Sequence, residues 1–183
     1  MLDIILDGFP EEYEDYLIRT DFRIGIQIAE CLNDVDMAEP EKLQVALKLL
    51  YGAGIPSNRQ LAEDGLKWFM RGGQPEKEHT SDGKPQTYDF EQDNRLTYSA
   101  FRARYGIDLT RERLHWFAFL SMLDDLGTCA LTDIIGVRGM DLSKLSEDQK
   151  KYYAELKAKY RIEPKLSEGE LARIAEFEGQ LNG

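Results

Sequence analysis

A mainly α fold, a compact bundle of seven or eight helices with a small N-terminal β-hairpin, is what the 183-residue sequence predicts. Two observations carry that expectation. Apolar residues recur at helical spacing in segment after segment, and the segments are bracketed by helix start and stop residues, with Asp, Ser, Thr or Pro in front and Gly behind. With 42% hydrophobic residues there is enough apolar material for a core, so the whole chain, 1–183, reads as a single helical domain.

The centre of the pattern is 88–127, two helices joined at Gly106. Asp89 is the expected N-cap of the first, and from Phe90 onward Tyr98, Phe101 and Tyr105 fall within one angular sector and should face the core. Gly106 can adopt the left-handed conformation that ends a helix. Thr110 is then expected to cap the second helix, whose run Leu114, Trp116, Phe117, Phe119, Leu120, Met122, Leu123 and Leu126 is apolar around most of its circumference. A helix with so little polar surface belongs in the middle of a domain or against a partner.

The other elements follow in order. Residues 3–6 and 16–19 are short β-branched runs that could pair across the acidic segment FPEEYED. Thr20 or Asp21 caps a helix running to about Asn33, with Gly25 an unfavourable residue inside it. Pro40 stands at the first position of the next helix, lined by Leu43, Ala46, Leu47 and Leu50. Ser57 opens a third, carrying Leu61, Leu66, Trp68, Phe69 and Met70 and stopping at Gly72-Gly73. The segment 72–87 has no apolar periodicity and reads as a mobile loop. Thr128 to Arg138 is a short helix or extended segment. Ser146 with Gln149, and Ser167 with Glu170, match capping boxes before two last helices. The final helix repeats Leu171, Ile174, Ala175, Phe177 and Leu181.

Charge narrows the function. There are 34 acidic and 23 basic residues, a net charge of −11. A phosphate backbone would be repelled, so nucleic acid is not an expected partner. The first 64 residues hold 14 acidic and 5 basic side chains, which should face solvent or a basic partner. No apolar run is long enough for a signal peptide or a membrane span, so a soluble, cytoplasmic protein is expected. Cys31 and Cys129 have no ligand spacing and read as small buried hydrophobes.

No convergent catalytic set is legible. With only His79 and His115, a multi-His metal site is excluded, and His115 reads as a ring bonded to a neighbouring carbonyl or carboxylate rather than as a base beside Asp124 or Asp125. Asp124 and Asp125 diverge by about 100° on a helix and read as a solvated helix end. The acidic turn of Glu11, Glu12, Glu14 and Asp15 lacks the calcium-loop ligand order, and Asp82-Gly83-Lys84 lacks a phosphate-loop pattern. No cofactor, no metal and no catalytic residue are therefore expected. Trp68-Phe69 and Trp116-Phe117 remain as aromatic pairs, either core packing or a partner-binding surface.

The motifs IRTDFRIGIQIAE, LKWFMRGG, YDFEQDNRLTYSAFRARYGIDL, LHWFAFLSMLDDLG, IIGVRGMDLSKL and QKKYYAELKAKY, in that order from about Thr20 to Tyr160, resemble the bacteriophage gene-product-fifteen family. Its tryptophan motif commonly reads LHWW, and Phe117 stands in place of the second tryptophan. Asp82-Gly83-Lys84 sits where relatives carry a variable basic turn. The family is encoded by long-tailed phages and prophages of Gram-positive bacteria, in the tail operon near the tape-measure gene. The resemblance implies a tail-assembly chaperone, a non-enzymatic protein binding that keeps the phage tape-measure protein soluble and recruits tail-tube protein in the host cytoplasm, and that is absent from the mature virion. A minor structural component of the tail, or a metal-dependent enzyme using Asp124, Asp125 and His115, are the competing expectations.

Overall fold

The structure, a computed structural model, describes residues 4–75 and 85–181. Among the described residues a two-stranded hairpin, β1 (Glu12–Tyr13) and β2 (Tyr16–Leu17), precedes eight α-helices. These are α1 (Phe22–Leu32), α2 (Glu39–Tyr51), α3 (Arg59–Met70), α4 (Asn94–Tyr105), α5 (Trp116–Asp124), α6 (Ala130–Gly139), α7 (Glu147–Lys159) and α8 (Glu168–Leu181), with one 3₁₀ turn at Leu142–Lys144.

The hairpin differs from the expected pairing of 3–6 with 16–19. Its first strand is the acidic segment itself, because Glu14 and Asp15 both take positive φ (46° and 66°) and make a two-residue turn. So short a connection pairs immediate neighbours, and residues 4–7 are left in turns.

The almost wholly apolar α5 lies at the centre. Its Trp116, Phe117 and Phe119 are buried, and α1 and α4 pack against it. Phe119 stacks on Phe22 of α1 (ring centroids 4.9 Å apart) and on Phe101 of α4 (5.0 Å), so one side chain joins three helices. α1 also packs on α2 and α3, and α6 links α4 to α7. The entries to α1 and α5 are pinned together by two backbone bonds, Phe22 N–H to Leu114 O (2.9 Å) and Trp116 N–H to Thr20 O (2.7 Å). Among the described residues the buried core draws on α1 to α6, on Ile18 and on Leu126, with no side chain from α7 or α8.

Three expectations about the central pair need correction. Asp89 does cap a turn, its carboxylate accepting the N–H groups of Glu91 (3.0 Å) and Gln92 (2.9 Å), but α4 begins only after Asp93. Tyr98 is exposed, since the buried face of α4 carries Thr97, Ala100 and Phe101, one helical step round. That rotation lets the Thr97 hydroxyl donate to Asp93 O (3.0 Å) and meet the Tyr88 hydroxyl (2.9 Å). Thr110 caps no helix, because Asp108 takes both its hydroxyl (2.6 Å) and its N–H (3.0 Å) in a local turn. The Arg23 guanidinium donates to Leu109 O (2.7 Å) and Glu112 O (3.0 Å), holding the segment away from helix, and α5 starts at Trp116 with His115 as its N-cap.

Gly106 closes α4 with φ +73°, the left-handed conformation expected of it. The capping boxes before α7 and α8 also form: Gln149 N–H donates to Ser146 Oγ (3.4 Å) and Glu170 N–H to Ser167 Oγ (3.2 Å). Cys31 and Cys129 are half-buried rather than buried, because both sit at helix ends on the rim of the core. Most of the loop expected at 72–87, with His79 and Asp82-Gly83-Lys84, lies outside the described residues; 72–73 complete the turn that ends α3.

Candidate protein-interaction surface

The four aromatic residues singled out for partner contact are divided by the fold. Phe69, Trp116 and Phe117 belong to the core, and Trp68 alone is half-buried. Trp68 bridges the hairpin and α5, its ring 5.0 Å from Tyr13 and 5.2 Å from Phe117. A groove of about 440 Å³ opens beside it, lined by Ile4, Phe9, Trp68, Phe117 and residues 72–75. Of the four, Trp68 is the one with surface available to a second molecule.

A larger groove was not foreseen. It holds about 800 Å³ between the end of α1, the α1–α2 loop, α2 and the segment before α8. Val35, Met37, Val45, Leu49 and Leu166 supply apolar surface, and Glu30, Asp34, Asp36 and Glu91 supply negative charge. Val35 and Val45 are exposed, which single apolar residues on a surface often are, but here both line one depression. Burial, reinforced by repulsion from Glu91, pushes the Glu30 carboxyl above its ordinary value, and Lys165 opposes that shift. Lys165 is itself engaged by Glu91 (2.8 Å). The chemistry on offer is apolar contact flanked by carboxylates, suited to an amphipathic helix with cationic edges.

Neither Asp124 nor Asp125 is brought to His115. Asp124 and Asp125 sit exposed at the far end of α5, and nine residues of helix at about 1.5 Å per residue put roughly 13 Å between them and His115. Among the described residues no group of three or more His, Cys, Asp or Glu side chains is arranged to hold a metal ion. No helix among the described residues is long and apolar enough to cross a membrane.

The work His115 does is structural. Its Nδ1 accepts the Phe117 N–H (3.0 Å), so Nδ1 must be unprotonated, and Nε2–H is left to donate to Pro10 O (2.9 Å). Phe9 stacks on the ring at 4.9 Å. Burial lowers the imidazole pKa, against the opposing effects of the Pro10 carbonyl and Glu11. A folded-state pKa below the unfolded value means the unfolded chain binds more protons, so stability is complete above about pH 6.5 and is lost as pH falls through and below it. His115→Ala is expected to cost about 1 kcal/mol at pH 7.5, the usual value of an N-cap. His115→Asn, which can still cap, should retain most of that stability and lose the acid sensitivity; thermal unfolding at pH 7.5 and pH 5.5 checks both.

Sequence reasoning missed Asp93 and Arg138, a buried ion pair between the start of α4 and the end of α6. Their side chains are 2% and 9% exposed. Arg138 Nη1 donates to Asp93 Oδ2 (2.6 Å) and Nη2 to Oδ1 (3.0 Å), while the same guanidinium reaches Thr87 O (3.1 Å) and Tyr160 O (2.5 Å). Asp93 Oδ2 also accepts the Asp89 N–H (3.0 Å). One side chain therefore ties the end of α6 to the start of α4, to the segment before it and to the end of α7. The chain after α7 is held further by Gln92, whose amide exchanges two bonds with the Glu163 backbone (2.8 and 2.9 Å).

A family model described as Bacteriophage Gp15 protein matches residues 5–162. No curated protein matches the chain, and no solved structure does.

Proposed function

Because the chain belongs to the Bacteriophage Gp15 protein family, we propose that it is a non-enzymatic tail-assembly chaperone that binds the phage tape-measure protein and helps recruit tail-tube protein. It acts in the cytoplasm of the host and leaves before the virion is complete. The observation that supports this reading is the groove between α1, α2 and the segment before α8, where Val35, Val45 and Leu49 lie among carboxylates. A long helical protein awaiting assembly exposes apolar faces that would otherwise aggregate, and a shallow apolar groove with a charged rim covers such a face reversibly.

Co-expression with the tape-measure protein encoded beside it is expected to keep that protein soluble and to let the two co-purify. Val35→Ser with Val45→Ser should weaken the complex by about tenfold without changing the melting temperature, since both side chains are exposed in the free chain. Failure of the unaltered protein to rescue solubility or to co-purify would remove the reading. Finding the protein at stoichiometric levels in purified virions by mass spectrometry would replace it with a structural role in the tail.

A further inference from the structure

The family match ends at residue 162, and the chain beyond it carries an apolar surface left open among the described residues. Every described residue of α8 from Glu168 to Phe177 is exposed. Leu171, Ile174 and Phe177 are 53%, 44% and 62% exposed, and their spacing of three keeps them within about 120° of one another on one face. Glu168, Glu170 and Glu176 supply negative charge, while Arg173 turns its guanidinium back onto Gly169 O (3.1 Å). An isolated helix of this length is marginal in water, and its stability normally comes from packing the face that is here left open.

The root of α8 lies at the larger groove. Leu166 lines that groove, and the Glu168 N–H donates to both carboxylate oxygens of Asp36 (3.1 and 3.2 Å) at its edge. We propose that α8 is a docking arm that completes the groove, its Leu171, Ile174 and Phe177 stripe closing on a cationic amphipathic helix of a partner protein seated on Val35, Val45 and Leu49. This rests on the groove being the binding surface of the proposed chaperone, and it adds both the second wall and the charge of the occupant.

Charge selects that occupant. A second copy would bring an acidic helix to an acidic groove on a chain of net charge −11, and anionic lipid or nucleic acid would be repelled in the same way. A lysine- or arginine-flanked helix would instead be attracted by Glu30, Asp34 and Asp36 below and by the α8 glutamates above. Burial, with smaller contributions from the Glu91 and Asp89 charges, disfavours the charged Glu30 carboxylate, and a cation seated in the groove would favour it as Lys165 does.

The test uses the full chain and two synthetic peptides of one amphipathic pattern, Leu/Lys and Leu/Glu, with fluorescence anisotropy at physiological salt. The Leu/Lys peptide is expected to bind and the Leu/Glu peptide not. Leu171→Ser, Ile174→Ser and Phe177→Ser together should weaken binding by at least about tenfold while leaving charge and melting temperature unchanged. Equal binding of the two peptides overturns the proposal, as does unaltered Leu/Lys affinity in the triple variant. In the latter case, weakened binding by Val35→Ser with Val45→Ser would leave the groove standing and remove only the arm. A fall in melting temperature in the triple variant would show that the stripe packs on its own fold. A dimer by sedimentation that the triple variant dissolves would assign the stripe to a second copy; either result overturns the proposal.

Discussion

Arg138→Ala is expected to destabilise the fold by about 3–5 kcal/mol, the range for removing one partner of a buried ion pair. The loss exceeds that of a surface salt bridge because Asp93 stays behind in a nearly dry site where, among the described residues, the Asp89 N–H is the donor left to it. The carbonyls of Thr87 and Tyr160 lose their donor as well. Arg138→Lys should recover only part of the stability, since one ammonium cannot reproduce two parallel bonds to a carboxylate. Asp93→Ala with Arg138→Ala should cost less than the sum of the two single replacements, because no charge is then buried alone. Urea unfolding gives these values, and hydrogen exchange should show the 160–165 segment loosened in Arg138→Ala. Simple additivity of the two single losses would mean that the pair is not coupled as its geometry requires.

Gly25→Ala is expected to lower stability by about 2 kcal/mol or more, although the same change in an unconstrained helix would raise it by about 1 kcal/mol. A Cβ at Gly25 would lie 2.3 Å from two ring atoms of Trp116. That ring cannot withdraw: Trp116 is 1% exposed and packs against Phe119, Phe90 and Phe69 at centroid distances of 5.7, 5.9 and 6.1 Å. Added volume in a close-packed interior must push α1 off α5 or force the indole off its rotamer. For a chain of this size the loss corresponds to a melting temperature lower by roughly 4–8 °C. Combining Gly25→Ala with Trp116→Leu should show strong coupling, the added methyl refilling part of the space the indole vacates. If the two costs merely add, the close approach is not what makes glycine necessary.

The glycine shows where legibility in the sequence ended. Read along the chain, Gly25 is only a weak residue inside a helix; the reason for it is a tryptophan more than ninety positions away. The same limit hid the Asp93–Arg138 pair, whose members are 45 residues apart and look individually like surface charges at helix ends. It hid the larger groove too, because its walls come from α1, α2, the turn before α4 and the segment before α8. Where the competition was local, the reading failed for local reasons: Asp108 took Thr110 into a turn before it could cap a helix, and a one-residue rotation exchanged Tyr98 for Thr97 on the buried face.

What the amino-acid order determined alone is the helices other than α6, whose segment reads equally as extended chain, and the identity of the central one. Apolar spacing, a serine or aspartate in front and a left-handed glycine behind act over four or five residues, within reach of the backbone they organise. The bonds that decide which charges are buried, which aromatic rings remain at the surface and where carboxylates border an apolar groove join residues far apart in the chain. Those outcomes depend on how helices are rotated against one another, and only the tertiary structure decides that, because burial is a property of the packed helices together.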